Sequence, residues 1–192
     1  MAISCGETKK IETISLFNGE NLDGWIAYGT EKWYVEDNEL VCESGPDKQY
    51  GYLKTEENFD DFILSLEFKQ ENNGNSGVFF RSTVDGTNSP IVKGWQVEVA
   101  PPGFHSGGIY ESYGRGWLIK PDSSKNSIIK MGKWNHMVIE VIGNEVTTSI
   151  NKTEMIKIKD SIIGKGIGGI ALQIHDGGGI KVRWKNLKIQ EL

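Results

Sequence analysis

The chain has 192 residues, 21 Lys and Arg against 26 Asp and Glu, a net charge of −5 and only 2 Cys. That length suits one domain whose core needs no disulfide staples. The acidic balance excludes a general nucleic-acid binder, and two cysteines cannot build a Cys-rich zinc site.

Residues 1–13 read as a flexible tail, with the domain proper spanning 14–192. Cys5 follows small and apolar residues and precedes a polar stretch. That order looks like the end of a bacterial lipoprotein signal, in which the Cys is lipidated. On this reading the protein is exported to the periplasm or cell surface, and meets a membrane only through that anchor. The alternative is a plain tail with an incidental thiol. Cys42, inside Leu40-Val41-Cys42, reads as a buried, inert thiol.

The rest of the chain is a series of short strand-like runs separated by turn signals. The clearest runs are Ile63–Lys69, Gly77–Thr83, Trp95–Val99, Trp134–Ile142, Val146–Asn151, Gly169–His175 and Ile180–Ile189. Gly143-Asn144 predicts a hairpin, and Asn151-Lys152-Thr153 a second one leading into Met155–Ile158. Helical periodicity is absent beyond one turn over Asp160–Ile163. The glycine-rich run Gly164–Gly169 superficially resembles a dinucleotide fingerprint but lacks a βαβ context, and reads as a flexible turn. About a dozen strands in one domain predict two stacked sheets: an all-β sandwich or jelly roll.

A sandwich strand buries one face and turns the other outward. Phe62, Leu64, Leu66 and Phe68 form one apolar set; Val78 and Phe80, then Trp95, Val97 and Val99, then Ile170, Leu172 and Ile174 form others. The opposite faces carry Glu67, Arg81, Gln96, Glu98, Gln173 and His175. One such group alone is ordinarily a solvated surface residue. As a set, carboxylates, amides, an Arg and a His interleaved with Trp95, Tyr110, Tyr113, Trp117 and Trp134 suit a carbohydrate. Aromatic faces stack on pyranose rings, and planar polar groups fork onto paired hydroxyls.

Several ordered motifs then carry a resemblance. Leu16-Phe17-Asn18-Gly19-Glu20-Asn21-Leu22-Asp23-Gly24-Trp25 resembles the opening signature of the 3-keto-disaccharide hydrolase domain family. In the family's order follow Glu67-Phe68, Asn75-Ser76-Gly77-Val78-Phe79-Phe80-Arg81, Gly94-Trp95-Gln96-Val97-Glu98 and Ser106-Gly107-Gly108-Ile109-Tyr110. Trp134-Asn135, Gly169–His175 and Trp184-Lys185-Asn186-Leu187-Lys188-Ile189 complete it, so the resemblance covers nearly the whole chain. Three motifs depart from the family pattern. Gln96-Val97-Glu98 reverses the usual Glu-x-Gln, Ser106 replaces a Thr, and Lys185 replaces an Arg and cannot fork bidentately.

The resemblance implies a concanavalin A-like lectin/glucanase sandwich with a sugar site on its concave sheet, in an exported bacterial protein. It also implies hydrolysis of 3-keto-glycosides: proton abstraction at C2, elimination at C1, then hydration. Such chemistry needs a base, an oxyanion stabiliser and in some enzymes a divalent metal ion. Imidazole titrates near neutrality, so His175 suits the base or a metal ligand. Glu67 and Glu98 suit acid, base or ligand roles, with Glu98 and His175 the candidate metal pair, and Arg81 suits an oxyanion clamp. Gln96 and Gln173 would orient hydroxyls, and Trp95, Tyr110 and Trp134 would supply a stacking wall, with His105 at the rim. His136 reads as structural. A two-carboxylate glycosidase using Glu67 and Glu98, or a non-catalytic carbohydrate-binding module on the same fold, are the alternatives.

Overall fold

The computed structural model describes residues 12–86 and 89–192. Cys5, and with it the expected lipid anchor, lies outside the described residues. The strands in chain order are β1 (Thr13–Ser15), β2 (Trp25–Tyr28), β3 (Lys32–Glu36), β4 (Glu39–Glu43), β5 (Gly51–Thr55), β6 (Phe62–Gln70), β7 (Ser76–Asp85) and β8 (Ile91–Val99). They continue with β9 (Ile109–Ser112), β10 (Gly116–Ile119), β11 (Asn135–Ile142), β12 (Glu145–Ile150), β13 (Thr153–Lys159), β14 (Gly169–Ile174) and β15 (Lys181–Glu191). Among the described residues, helix is confined to 3-10 turns at Ser123–Ile128 and Ile163–Lys165.

These strands form two antiparallel sheets. The first has the order β13-β12-β11-β6-β15-β4-β3, with β1 also on β15, and the second the order β10-β9-β8-β7-β14-β5-β2. The alternation in the sequence sets which side of each strand faces the partner sheet. Phe62, Leu64, Leu66 and Phe68 of β6 are each 0% exposed and meet Val78, Phe80, Val97, Leu172 and Ile174 from the second sheet in one core. Trp184, Met137 and Ile139 complete the first sheet's contribution. Each such side chain contributes roughly 1.5–3 kcal/mol by burial, so the core alone specifies sheet register.

Both expected hairpins are present: β11 pairs with β12, and β12 with β13. Asn151 and Lys152 both have positive φ, 50° and 68°, as a two-residue type I′ turn requires. Asp37-Asn38, with φ of 54° and 59°, makes the same turn between β3 and β4. Asp and Asn both tolerate that conformation, although this turn was not among those read from the sequence. The strands around it were harder to see, because β1 to β5, β9 and β10 are too short to display a clear period. Cys42 is fully buried, and burial pushes its thiol up to about 12, in keeping with an inert core group.

The outward face of the second sheet carries its own small apolar cluster: Tyr52, Phe79, Val92 and Ala171, with Tyr28, Tyr50 and Val84 against it. This cluster is the floor beside which the candidate site is built.

Candidate functional site

A cleft of about 440 Å³ opens on the outward face of the second sheet. It is lined by Tyr50, Tyr52, Asn75, Gln96, Glu98, Tyr110, Ser112, Tyr113, Trp117, Gln173 and His175. The pairing of neighbouring strands explains the convergence. Gly77 stands opposite Glu98 and Gln173, and Gln96 opposite Tyr110, so alternate residues of β8, β9 and β14 share one face. Gly77 is the gap that makes room: a Cβ there would lie 2.4 Å from the Gln96 amide nitrogen. Gly107, the other glycine near these motifs, abuts Met155 of the first sheet instead.

Glu98 is 3% exposed, and its carboxylate accepts hydrogen bonds from the amides of Asn75 and Gln96, the latter at 2.9 Å. Gln96 Nε2 also reaches Gln173 Oε1 at 3.2 Å. Burial pushes the Glu98 carboxyl up to about 8, partly offset by the Asn75 amide. At neutral pH it is therefore largely a protonated acid. The Asn75 side-chain amide oxygen beside it is buried and has no partner among the described residues.

Across the cleft, His175 stands at the end of β14. Its Nδ1 lies 2.7 Å from an Asp176 carboxylate oxygen, and its Nε2 lies 3.0 Å from the Tyr50 hydroxyl. Burial, then the Asp176 charge, pushes the Tyr50 phenol up to about 12, so it stays protonated. The carboxylate requires the imidazole proton on Nδ1, leaving Nε2 as the acceptor for the Tyr50 O–H. Burial likewise lifts Tyr52 to about 12. Tyr110 and Trp117 meet edge to face at 5.5 Å and form the aromatic wall, with the His105 ring 5.2 Å from Trp117 behind it.

Four residues nominated from the sequence stand elsewhere. Glu67 projects from the first sheet on the opposite outward face, where Asn186 donates to it at 2.8 Å and Lys185 lies 3.6 Å away. Trp134 is on that face too, with the ammonium groups of Lys185 and Lys69 at 4.0 and 4.8 Å from its ring centre. Alternation separates the two sides of a strand but does not say which of two sheets the strand joins. Trp95 is 6% exposed and packs on Phe80 in the core, as its place in the set with Val97 and Val99 requires; a stacking role contradicts that set.

Arg81 is displaced for a different reason. The register of β7 against β8 shifts between Phe80 and Thr83, and Arg81 takes a positive φ of 47°. The bulge breaks the alternation and sends the guanidinium into the end of the sandwich. There it is 2% exposed and donates to the carbonyls of Asp60, Gly143 and Ile163 and to the Asp60 and Asp61 carboxylates. It is a structural staple between three loops.

The residues that sequence reasoning left unnominated are Tyr50, Tyr52, Asn75 and Ser112, together with Tyr113 and Trp117, which it noted only as nearby aromatics. Asn75 lies within a family-like motif, directly before β7, and was the most legible of these. Tyr50 and Tyr52 come from β5 and the loop before it, whose shortness hid them.

The donor set does not fit a resident metal ion. Among the described residues no three His, Cys, Asp or Glu side chains are grouped so as to hold a metal ion. Glu98 and His175 are the only carboxylate and imidazole among the cleft-lining residues described, and two protein ligands fall short of the three or four that hold a resident ion.

A family model described as the 3-keto-alpha-glucoside-1,2-lyase-like domain matches residues 12–190. A 3-keto-disaccharide hydrolase of Bacteroides thetaiotaomicron is 32% identical over 76 residues, a match covering 35% of this chain and 26% of that protein. A Parabacteroides distasonis structure, assigned as a glycosyl hydrolase, superposes with a TM-score of 0.69 at 21% identity, covering 94% of each chain. A Bacillus subtilis protein with a galectin-like fold gives 0.68 at 14% identity, covering 88% of this chain and 90% of that one. A carbohydrate-binding module of Bacillus subtilis gives 0.55 at 14%, covering 86% and 94%. These superpositions establish the lectin-like sandwich.

Proposed function

Because the chain belongs to the 3-keto-alpha-glucoside-1,2-lyase-like domain family, we propose that it is a glycosyl hydrolase that cleaves 3-keto-glycosides in the cleft of the second sheet. The observation that carries this reading is the pairing of a carboxylic acid kept protonated, Glu98, with an imidazole oriented by a carboxylate and a phenol, His175. Two groups pushed to opposite roles by their surroundings are what acid–base chemistry at a carbon acid needs.

A ketone at C3 acidifies the C2 hydrogen. The substrate displaces the Tyr50 hydroxyl from His175 Nε2, which takes that proton, and the electron pair moves to the C3 oxygen as an enediolate. Glu98 donates a hydrogen bond to this oxygen, where negative charge develops. When the C3 carbonyl re-forms, the C1–O bond breaks, the aglycone leaves with the proton that His175 took from C2, and a C1–C2 double bond remains. Water then adds its hydroxyl at C1 and a proton returns to C2, so the sum is hydrolysis. Gln96, Gln173 and Asn75 orient hydroxyls, and Tyr110 and Trp117 offer ring faces and edges to the sugar. Asp176 is a positioning residue for His175.

A two-carboxylate glycosidase finds no support in the geometry, since Glu98 is the only carboxylate among the cleft-lining residues described and Glu67 is on the other sheet. The fold shared with a carbohydrate-binding module keeps a binding role as a second reading. Incubation with a 3-keto-glucoside and its parent glucoside separates them. Turnover of the ketone alone is expected. Turnover of the parent alone would overturn the proposal, and saturable binding without turnover of either would favour the module.

A further inference from the structure

Beside the cleft lies a second hollow of about 310 Å³ that shares Ser112 and Tyr113 with it. Its other lining residues include Thr83, Lys93, Trp95, Glu111, Ile162 and Ile167. Three side chains around it are large, apolar and open to solvent: Ile167 at 77%, Tyr113 at 69% and Ile162 at 46% exposure. Single exposed apolar residues need no explanation, but three from two separate loops around one hollow mark a binding surface.

Its charged groups are already engaged. Arg81 is fully used by the loops at the sandwich end, Lys93 pairs with Asp85 at 3.1 Å, and Glu111 is held by Arg115. A second pyranose would find few free hydrogen-bond partners here. An apolar group would find Ile162, Ile167 and the Tyr113 ring.

The hollow is also preformed. Arg115, in the same turn as Tyr113, forks onto Asp160 at 2.8 and 3.1 Å. Asp160 in turn accepts from the backbone N–H groups of Ile162 and Ile163. The glycine-rich run that follows is a packed turn, contrary to the flexible one expected. A Cβ on Gly166 would fall 2.2 Å from the Trp95 ring, and one on Gly168 2.2 Å from the Ser82 carbonyl oxygen. The glycines thus press the loop onto Trp95 and β7 and fix Ile162 and Ile167 opposite Tyr113.

We propose that this hollow is the aglycone subsite, and that it takes an apolar group of aromatic size attached at C1, so that the preferred substrates are 3-keto-glycosides of apolar alcohols or phenols. The inference rests on the proposed reading of the neighbouring cleft. Filling a preformed apolar hollow raises affinity because little has to be ordered on binding.

The test compares phenyl and methyl 3-keto-glucosides, as both anomers, with wild type, I162S/I167S and the control I26S, whose exposed isoleucine lies on the edge strand β2. The wild type and I26S are expected to favour the phenyl substrate in kcat/KM by about tenfold, and I162S/I167S to lose most of that preference. A ratio near one in wild type, a ratio retained in I162S/I167S, or a preference for a 3-keto-disaccharide over the phenyl substrate would overturn the subsite. If neither ketone is consumed, the functional reading fails by itself. The same ratio is then read from dissociation constants of intact phenyl and methyl glucosides by calorimetry, with the same outcomes deciding.

Discussion

At the scale of single residues, Glu98 shows how position rather than type sets chemistry. A free glutamate ionises near 4.5, whereas the buried Glu98 carboxyl is pushed up to about 8 by the loss of water around it. Between those values the folded chain holds a proton that the unfolded chain has released, so this group lowers stability progressively as pH rises through the window. Glu98→Gln removes that penalty. The variant is expected to unfold at similar denaturant concentration to wild type at about pH 4 and at clearly higher concentration at about pH 9, a gap on the order of a few kcal/mol. Turnover of a 3-keto-glucoside should fall in wild type above about 8, as the acid loses its proton, and should be lower by about 100-fold or more in the variant below that pH. Equal stability curves, or unchanged turnover, would remove Glu98 from its role. The glutamate could be found in the sequence from alternation along β8. Its protonation could not, because that depends on the walls that Asn75, Gln96 and neighbouring strands build around it.

At the scale of elements, the bulge in β7 decides what the strand contributes. Up to Phe80 the alternation holds, with Val78 and Phe80 in the core and Gly77 and Phe79 on the outward face. Past the register shift Arg81 leaves that pattern and ties together the loops at Asp60-Asp61, Gly143 and Ile163. No periodicity argument anticipates an inserted residue, which is why Arg81 reads as a site residue from sequence. Arg81→Met would leave those buried carbonyls without donors and the Asp61 carboxylate without its cation. A loss of about 2–4 kcal/mol in unfolding free energy is expected, measured by urea denaturation. Below its unfolding range the variant should retain turnover of a methyl 3-keto-glucoside within a few-fold. A large loss of kcat in a folded, stable variant would return Arg81 to the chemistry.

At the scale of the whole molecule, the sandwich has two outward faces and the polar residues are divided between them. Glu98, Gln96, Gln173 and His175 gather on the second sheet, while Glu67, Trp134, Lys69 and Lys185 gather on the first. The double variant E67Q/W134A is therefore expected to keep wild-type kcat/KM on a 3-keto-glucoside within about twofold, since both residues lie on the sheet away from the cleft; a loss comparable to that of Glu98→Gln would place the chemistry on the wrong face. By itself the sequence determined the all-β class, the hairpins, the core set of each clear strand and the ordered motifs of the family. These follow from local rules: period-two burial, turn chemistry and residue spacing. Only the tertiary structure decided which strands share a sheet, and hence which outward residues are neighbours. That assignment depends on pairings between distant segments, β14 with β7 and β15 with β6, and strand periodicity is the same whichever sheet a strand joins.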